Sequence, residues 1–244
     1  MNSKQLSWII KREAVEMTNH SGASHIASIL SVSDIIAVLM NDIVSVNPNK
    51  PKSEIRDRVI LSKGHAGISL YVSLSLKGFF DSKILSTYED NGSILSGHVS
   101  HKTVPGIDFS TGSLGHGLSV GSGMAYALKE KGNTKSRVFV ILGDGECDEG
   151  SVWEAALVAN HFNLNNLVVI VDHNKMQSLD YCENTLELEP LNKKWESFGW
   201  NVVPCEYGND TDKLNEAFLT AFNVGKKTNK PTVIIAETTK GSGI

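Results

Sequence analysis

The chain has 244 residues, 41% of them hydrophobic and 20% charged, with a formal net charge of −4. That length suffices for a large core, and the mildly acidic balance supplies no electrostatic reason for binding nucleic acid or an anionic membrane surface. No run reads as a membrane span or a signal peptide, and Cys147, Cys182 and Cys205 are too few and too scattered for a disulfide framework or a zinc pattern. A reducing, cytoplasmic setting is the expectation.

In chain order, Leu6, Ile9, Ile10, Val15 and Met17 recur at helical spacing, which predicts a first helix over 4–19. Ser33-Asp34 reads as the cap of a second apolar helix that runs to about Val44 and stops before Asn47-Pro48. Arg58–Leu61 is a short strand leading into Ser62-Lys63-Gly64-His65, with a helix expected from about Ala66 to Leu76. Residues 90–115 are rich in Gly, Ser and His and read as an irregular loop of functional character. The glycine-dense segment Leu114–Lys129 predicts a helix packed closely against a neighbour. From there strands 137–142, 167–171, 200–205 and 232–236 alternate with helices 149–162, 190–198 and 211–225. Such alternation predicts a doubly wound, mostly parallel α/β sheet, here as a single domain over 1–244.

Strand 137–142 runs into Gly143-Asp144-Gly145-Glu146, and strand 167–171 into Asp172-His173-Asn174. In a parallel sheet both ends lie at the carboxyl edge, where such sheets bind ligands. One carboxylate and one amide oxygen suit Mg²⁺ or Ca²⁺, and the glycines leave backbone N–H groups open to a phosphate. On its own the Gly-Asp-Gly triplet is a turn as readily as a site.

The stretch GDGECDEGSVWEAALVANHFNLNNLVVIVDHNKMQ resembles the thiamine diphosphate-binding motif, which runs from a Gly-Asp-Gly to an Asn about thirty residues later. SGASHIASILSVSDI, RVILSKGHAGISLY, GHVSHKTVPGIDFSTGSLGHGLSVGSGMA and the closing TKGSG each resemble a transketolase block, in the same order. The similarity covers nearly the whole chain and is closest to the amino-terminal subunits of split transketolases.

The resemblance implies the diphosphate-binding domain of the thiamine diphosphate fold. It implies Asp144, Asn174 and the carbonyl of Met176 as ligands of Mg²⁺ (or Ca²⁺), with Gly145 and His65 on the diphosphate. Gly112, Ser113 and Leu114 would line the cofactor, while His25, His98 and His65 would be the catalytic histidines. Glu149 and Glu154 match carboxylates that the family places at its subunit interface. The implied reaction is transfer of a two-carbon ketol unit from a ketose to an aldose, the substrates being sugars or sugar phosphates. A related subunit using a 2-oxoacid donor, or an inactive binding subunit, are the alternatives. His116 stands where the family usually carries Gln. Lys63 and Lys102 read as solvated surface lysines, and His101, His161 and His173 receive no role. The sequence ends at Ile244, directly after TKGSG and short of a further family histidine, so a pyrimidine-binding domain is expected on a separate subunit, in an α₂β₂ assembly.

Overall fold

A computed structural model describes all residues, 1–244. Its elements in order are α1 (Ser3–Ser21), α2 (Ile26–Val38), β1 (Arg58–Leu61), α3 (Gly67–Leu76), α4 (His116–Glu130), β2 (Val138–Gly143), α5 (Gly150–His161), β3 (Leu167–His173), α6 (Cys182–Thr185), α7 (Leu191–Ser197), β4 (Asn201–Cys205), α8 (Thr211–Thr228) and β5 (Thr232–Glu237). The five strands form one sheet, ordered β1-β2-β3-β5-β4, and every neighbouring pair is parallel.

Side chains alternate across this sheet, and each face builds its own core. Val59, Leu61, Phe139, Ile141, Ile170 and Ile234 pack against α1, α2, α3 and α8. Ile60, Val140, Leu142, Val169, Val171 and Val233 face α4, α5 and α7. Because both faces are covered, β2 and β3 are apolar without interruption, which is why their sequences show runs rather than alternation.

The glycines of α4 are explained by its seat on the sheet. A Cβ at Gly117 would collide with the Ser62 side chain, and one at Gly121 would collide with Val140 Cγ2. The elements from β2 onward lie within three residues of their expected bounds.

The start of α2 differs from the sequence expectation. Ser33 and Asp34 cap nothing; they are buried mid-helix, and α2 begins at Ile26 with His25 as its N-cap. Their polar atoms are used internally: Ser33 Oγ donates to the Ile29 carbonyl at 2.7 Å, and Asp34 accepts from Ser7 Oγ at 2.5 Å and from Lys11 Nζ at 2.9 Å. A single π turn, Leu39–Ile43, extends α2. The resulting stretch Ile26–Ile43 does have the length and mean hydropathy (1.7 over 18 residues) of a membrane span, contrary to the sequence expectation. It lies 72% buried inside the protein, against α1, α3 and α8, and is therefore a core helix of the fold.

Candidate functional site

The carboxyl ends of β1, β2, β3 and β5 meet at a cavity of about 570 Å³. Its lining includes His25, Lys63, His65, Leu114, Asp144, Gly145, Asn174, Met176 and Lys240. In the β2–β3 register Gly143 pairs with Asp172, so the segments after both strands emerge side by side.

Asp144 turns out of β2 and is held by the neighbouring loop. Its Oδ1 accepts from the Gly145 N–H at 2.8 Å and its Oδ2 from the Lys175 N–H at 2.5 Å. Asn174 Oδ1 accepts from the Met176 N–H at 3.1 Å. Lys175 takes a left-handed backbone, φ 63°, which folds the chain so that residues on both sides of it border the cavity. Burial pushes the Asp144 carboxyl above its ordinary range, opposed by its two backbone N–H donors.

No group of three or more His, Cys, Asp or Glu is arranged to hold a metal, so a cation here would rely on mixed oxygen donors. Asp144, the amide oxygen of Asn174 and the carbonyl of Met176 are such a set, of the hard kind that Mg²⁺ and Ca²⁺ prefer. A cation already sits at this carbonyl: Lys240 Nζ donates to Met176 O at 3.2 Å and to Gln177 O at 2.9 Å.

At the other end, three histidines from remote segments converge. The ring centroids of His25 and His65 are 5.0 Å apart, and those of His25 and His98 6.2 Å. His25 has φ 74°, a backbone that a β-carbon disfavours and that is met at functional sites. His65 Nε2 lies 2.9 Å from Ser28 Oγ. Burial, and then the positive charge of Lys63, push the His65 pKa down to about 3. The imidazole is therefore neutral at physiological pH. Burial and the nearby His98 also lower His25. His98 is carried by the loop preceding α4, whose carbonyls at Ser96 and His98 accept from Tyr71 Oη at 2.9 and 3.0 Å. Asp108 and Thr111 tie the same loop to β1, through the Val59 N–H at 2.8 Å and the Leu61 carbonyl at 2.6 Å.

Of the residues expected on the cofactor, Leu114 borders the cavity, while Gly112 lies against the His98 ring, 3.1 Å from a Cβ built on it. Ser113 and His116 are outside the cavity lining; His116 is exposed, with Nδ1 within 3.2 Å of the Ser113 and Leu114 carbonyls. Glu149 and Glu154 are exposed at the start and on the outer face of α5.

Three residues escaped the sequence reading. Lys63, expected at the surface, is 1% exposed and forms a buried ion pair with Asp172. Glu146 is a buried carboxylate bonded to the Ser62 hydroxyl, to the Gly115 N–H at 2.9 Å and to the Gly143 N–H at 3.1 Å. It fastens the Leu114 loop to the Asp144 turn. Lys240 belongs to the closing TKGSG block, whose position beside the Met176 carbonyl had no local sequence signal.

Residues 3–244 match the family described as "Transketolase, thiamine diphosphate binding domain". One of the two subunits of an apulose-4-phosphate transketolase from Phocaeicola vulgatus is 41% identical over 235 residues, covering 96% of this chain and 81% of the relative. A 6-deoxy-6-sulfo-D-fructose transketolase subunit from a Clostridium species is 37% identical over 96% of this chain and 84% of its own length. Among solved structures, a transketolase from Campylobacter jejuni superposes on all of this chain with a TM-score of 0.91 at 28% identity. The chain spans 39% of that longer protein.

Proposed function

Because this chain belongs to the transketolase family, in its thiamine diphosphate-binding domain, we propose that it holds the diphosphate end of that cofactor in an enzyme transferring two-carbon ketol units between sugars. The observation that carries this reading is one cavity with an oxygen-donor end, Asp144 and Asn174, and a histidine end, His25 with His65 and His98 close by.

Thiamine diphosphate supplies the electron sink that stabilises the two-carbon unit between donor and acceptor. The protein's residues position and protonate. Asp144, Asn174 and the Met176 carbonyl would hold Mg²⁺ or Ca²⁺ against the diphosphate. The Gly145 N–H and His65, neutral at its lowered pKa, would donate to diphosphate oxygens without adding charge. A neutral imidazole has one donor and one acceptor nitrogen, and Ser28 Oγ engages Nε2. His25 and His98 are the side chains placed to bind substrate hydroxyls and to move protons there, a task that suits histidine near neutral pH. Leu114, with Gly112 and Ser113, would bound the cofactor through the loop.

The relatives named as subunits support a second polypeptide that completes the enzyme. On this reading that partner brings the pyrimidine-binding domain, with Glu149 and Glu154 facing it in an α₂β₂ assembly. The reaction is tested by supplying ketose phosphates, and separately pyruvate, to this chain with and without the partner. Ketol transfer from a ketose only in the presence of both polypeptides is expected. Robust turnover by this chain alone overturns the split arrangement. Turnover of pyruvate in preference to ketoses replaces the ketol donor by a 2-oxoacid. Calorimetry of thiamine diphosphate and Mg²⁺ into the pair, showing no binding, would refute the cofactor assignment.

A further inference from the structure

The Lys63–Asp172 pair stands beneath the cavity, and its connections reach every strand end that carries a site residue except that of β2. The Asp172 side chain is fully buried, and that of Lys63 is 2% exposed. Asp172 Oδ2 accepts from Lys63 Nζ, from Ser31 Oγ of α2 at 2.7 Å and, at 3.4 Å, from Asn174 Nδ2. Its Oδ1 accepts from Thr238 Oγ1, beyond β5, at 2.5 Å. Lys63 Nζ also points at the Ser28 carbonyl, 3.4 Å away, on the residue whose hydroxyl meets His65.

A regular offset runs through this network. Lys63 precedes His65 by two residues, Asp172 precedes Asn174 by two, and Thr238 precedes Lys240 by two. In each case the first residue joins the buried network and the second borders the cavity. The remaining members, Ser28 and Ser31, lie on α2, whose N-cap is His25. One desolvated carboxylate thus gathers the bases of His65, Asn174, Lys240 and the helix that presents His25.

We infer that Lys63 and Asp172 are positioning residues, a single ionic hub that sets the relative placement of the histidine end and the metal-binding end of the cavity. The inference rests on the cofactor reading of the cavity. An ion pair withdrawn this far from water is an inefficient source of stability, since apolar replacements of similar volume often serve as well. Its geometric reach distinguishes it: no apolar contact of similar size fixes four chain segments by direction as well as by distance. Burial alone drives the Asp172 carboxyl up, yet Lys63, Ser31 and Thr238 outweigh it and keep the group ionised.

The test compares Lys63→Met, Asp172→Asn and the double variant, each assembled with the partner polypeptide. Each single substitution strands a buried charge or its donors, so both singles should melt earlier than the parent. The double variant strands no charge and should recover most of the melting temperature. A merely structural pair predicts that thiamine diphosphate affinity, measured by calorimetry with Mg²⁺, recovers along with it. A positioning hub predicts that affinity stays at least tenfold weaker in the double variant. A second readout needs no ligand: the ring ¹⁵N shifts of His65 should move in the double variant while those of exposed His101 stay in place. Parent-like affinity with unmoved His65 shifts overturns the hub. If the parent assembly itself binds no thiamine diphosphate, the cofactor reading fails, and the His65 shifts alone decide the hub.

Discussion

The two ends of the cavity are built by different means. The oxygen end is local: Asp144 and Asn174 each follow directly on a buried strand, and backbone N–H groups one residue or one loop away orient both. The histidine end is assembled at long range, from the N-cap of α2, the turn after β1 and the loop before α4. A local device tolerates change elsewhere in the molecule, whereas an assembled one depends on every anchor that brings its parts together.

The largest expected effect breaks the local end. Asp144→Ala removes a proposed direct metal ligand and should weaken Mg²⁺-dependent thiamine diphosphate binding by at least the roughly 100-fold that outer-shell changes can reach. Unchanged affinity in calorimetry would remove Asp144 from the site. Next comes the clamp between the regions. Glu146→Ala leaves the Ser62 hydroxyl and the Gly115 and Gly143 N–H groups without their buried acceptor. It should cost about 2–3 kcal/mol in urea denaturation; a loss below about 0.5 kcal/mol would show the clamp to be idle.

A smaller effect reads the long-range end through pH. His65 titrates at about 3 in the folded protein against an ordinary 6.5. Below 6.5 the unfolded chain therefore takes up a proton that the folded chain refuses. The stability contribution of neutral His65 is complete above that value and is lost as pH falls toward about 3. His65→Gln should flatten the acid limb of stability between those limits, measured by denaturation at stepped pH. An acid limb parallel to the parent's would mean that His65 titrates normally. The smallest effect is expected at His116, exposed and outside the cavity lining. His116→Gln should change stability by less than about 0.5 kcal/mol and leave cofactor affinity unaltered; a clear loss of affinity would place the ring at the cofactor.

The asymmetry also explains what could be read before the fold was known. The strands were legible because burial on both faces leaves β2 and β3 with uninterrupted apolar sequence. The glycines of α4 announced close packing, and the contacts at Gly117 and Gly121 account for them. The Asp144 and Asn174 positions follow from strand ends, so local pattern reached them. Polar residues inside α2 misled: Ser33 and Asp34 look like a cap, but they are engaged by carbonyls and side chains within the core.

Lys63 and Glu146 show the deeper limit. Nothing in SKGH or GDGE announces that the lysine is buried, or that the glutamate bonds two loops. A charged side chain is stable away from water only when its partner arrives, and here the partners are 109 and 84 residues distant. The sequence by itself determined the alternating strands and helices, the carboxylate and amide at two strand ends, and, through its ordered blocks, the family. Tertiary structure alone decided which polar groups were buried and paired. It also brought His25, His65 and His98 to one cavity, because proximity across remote segments is a property of the packed chain and of no segment within it.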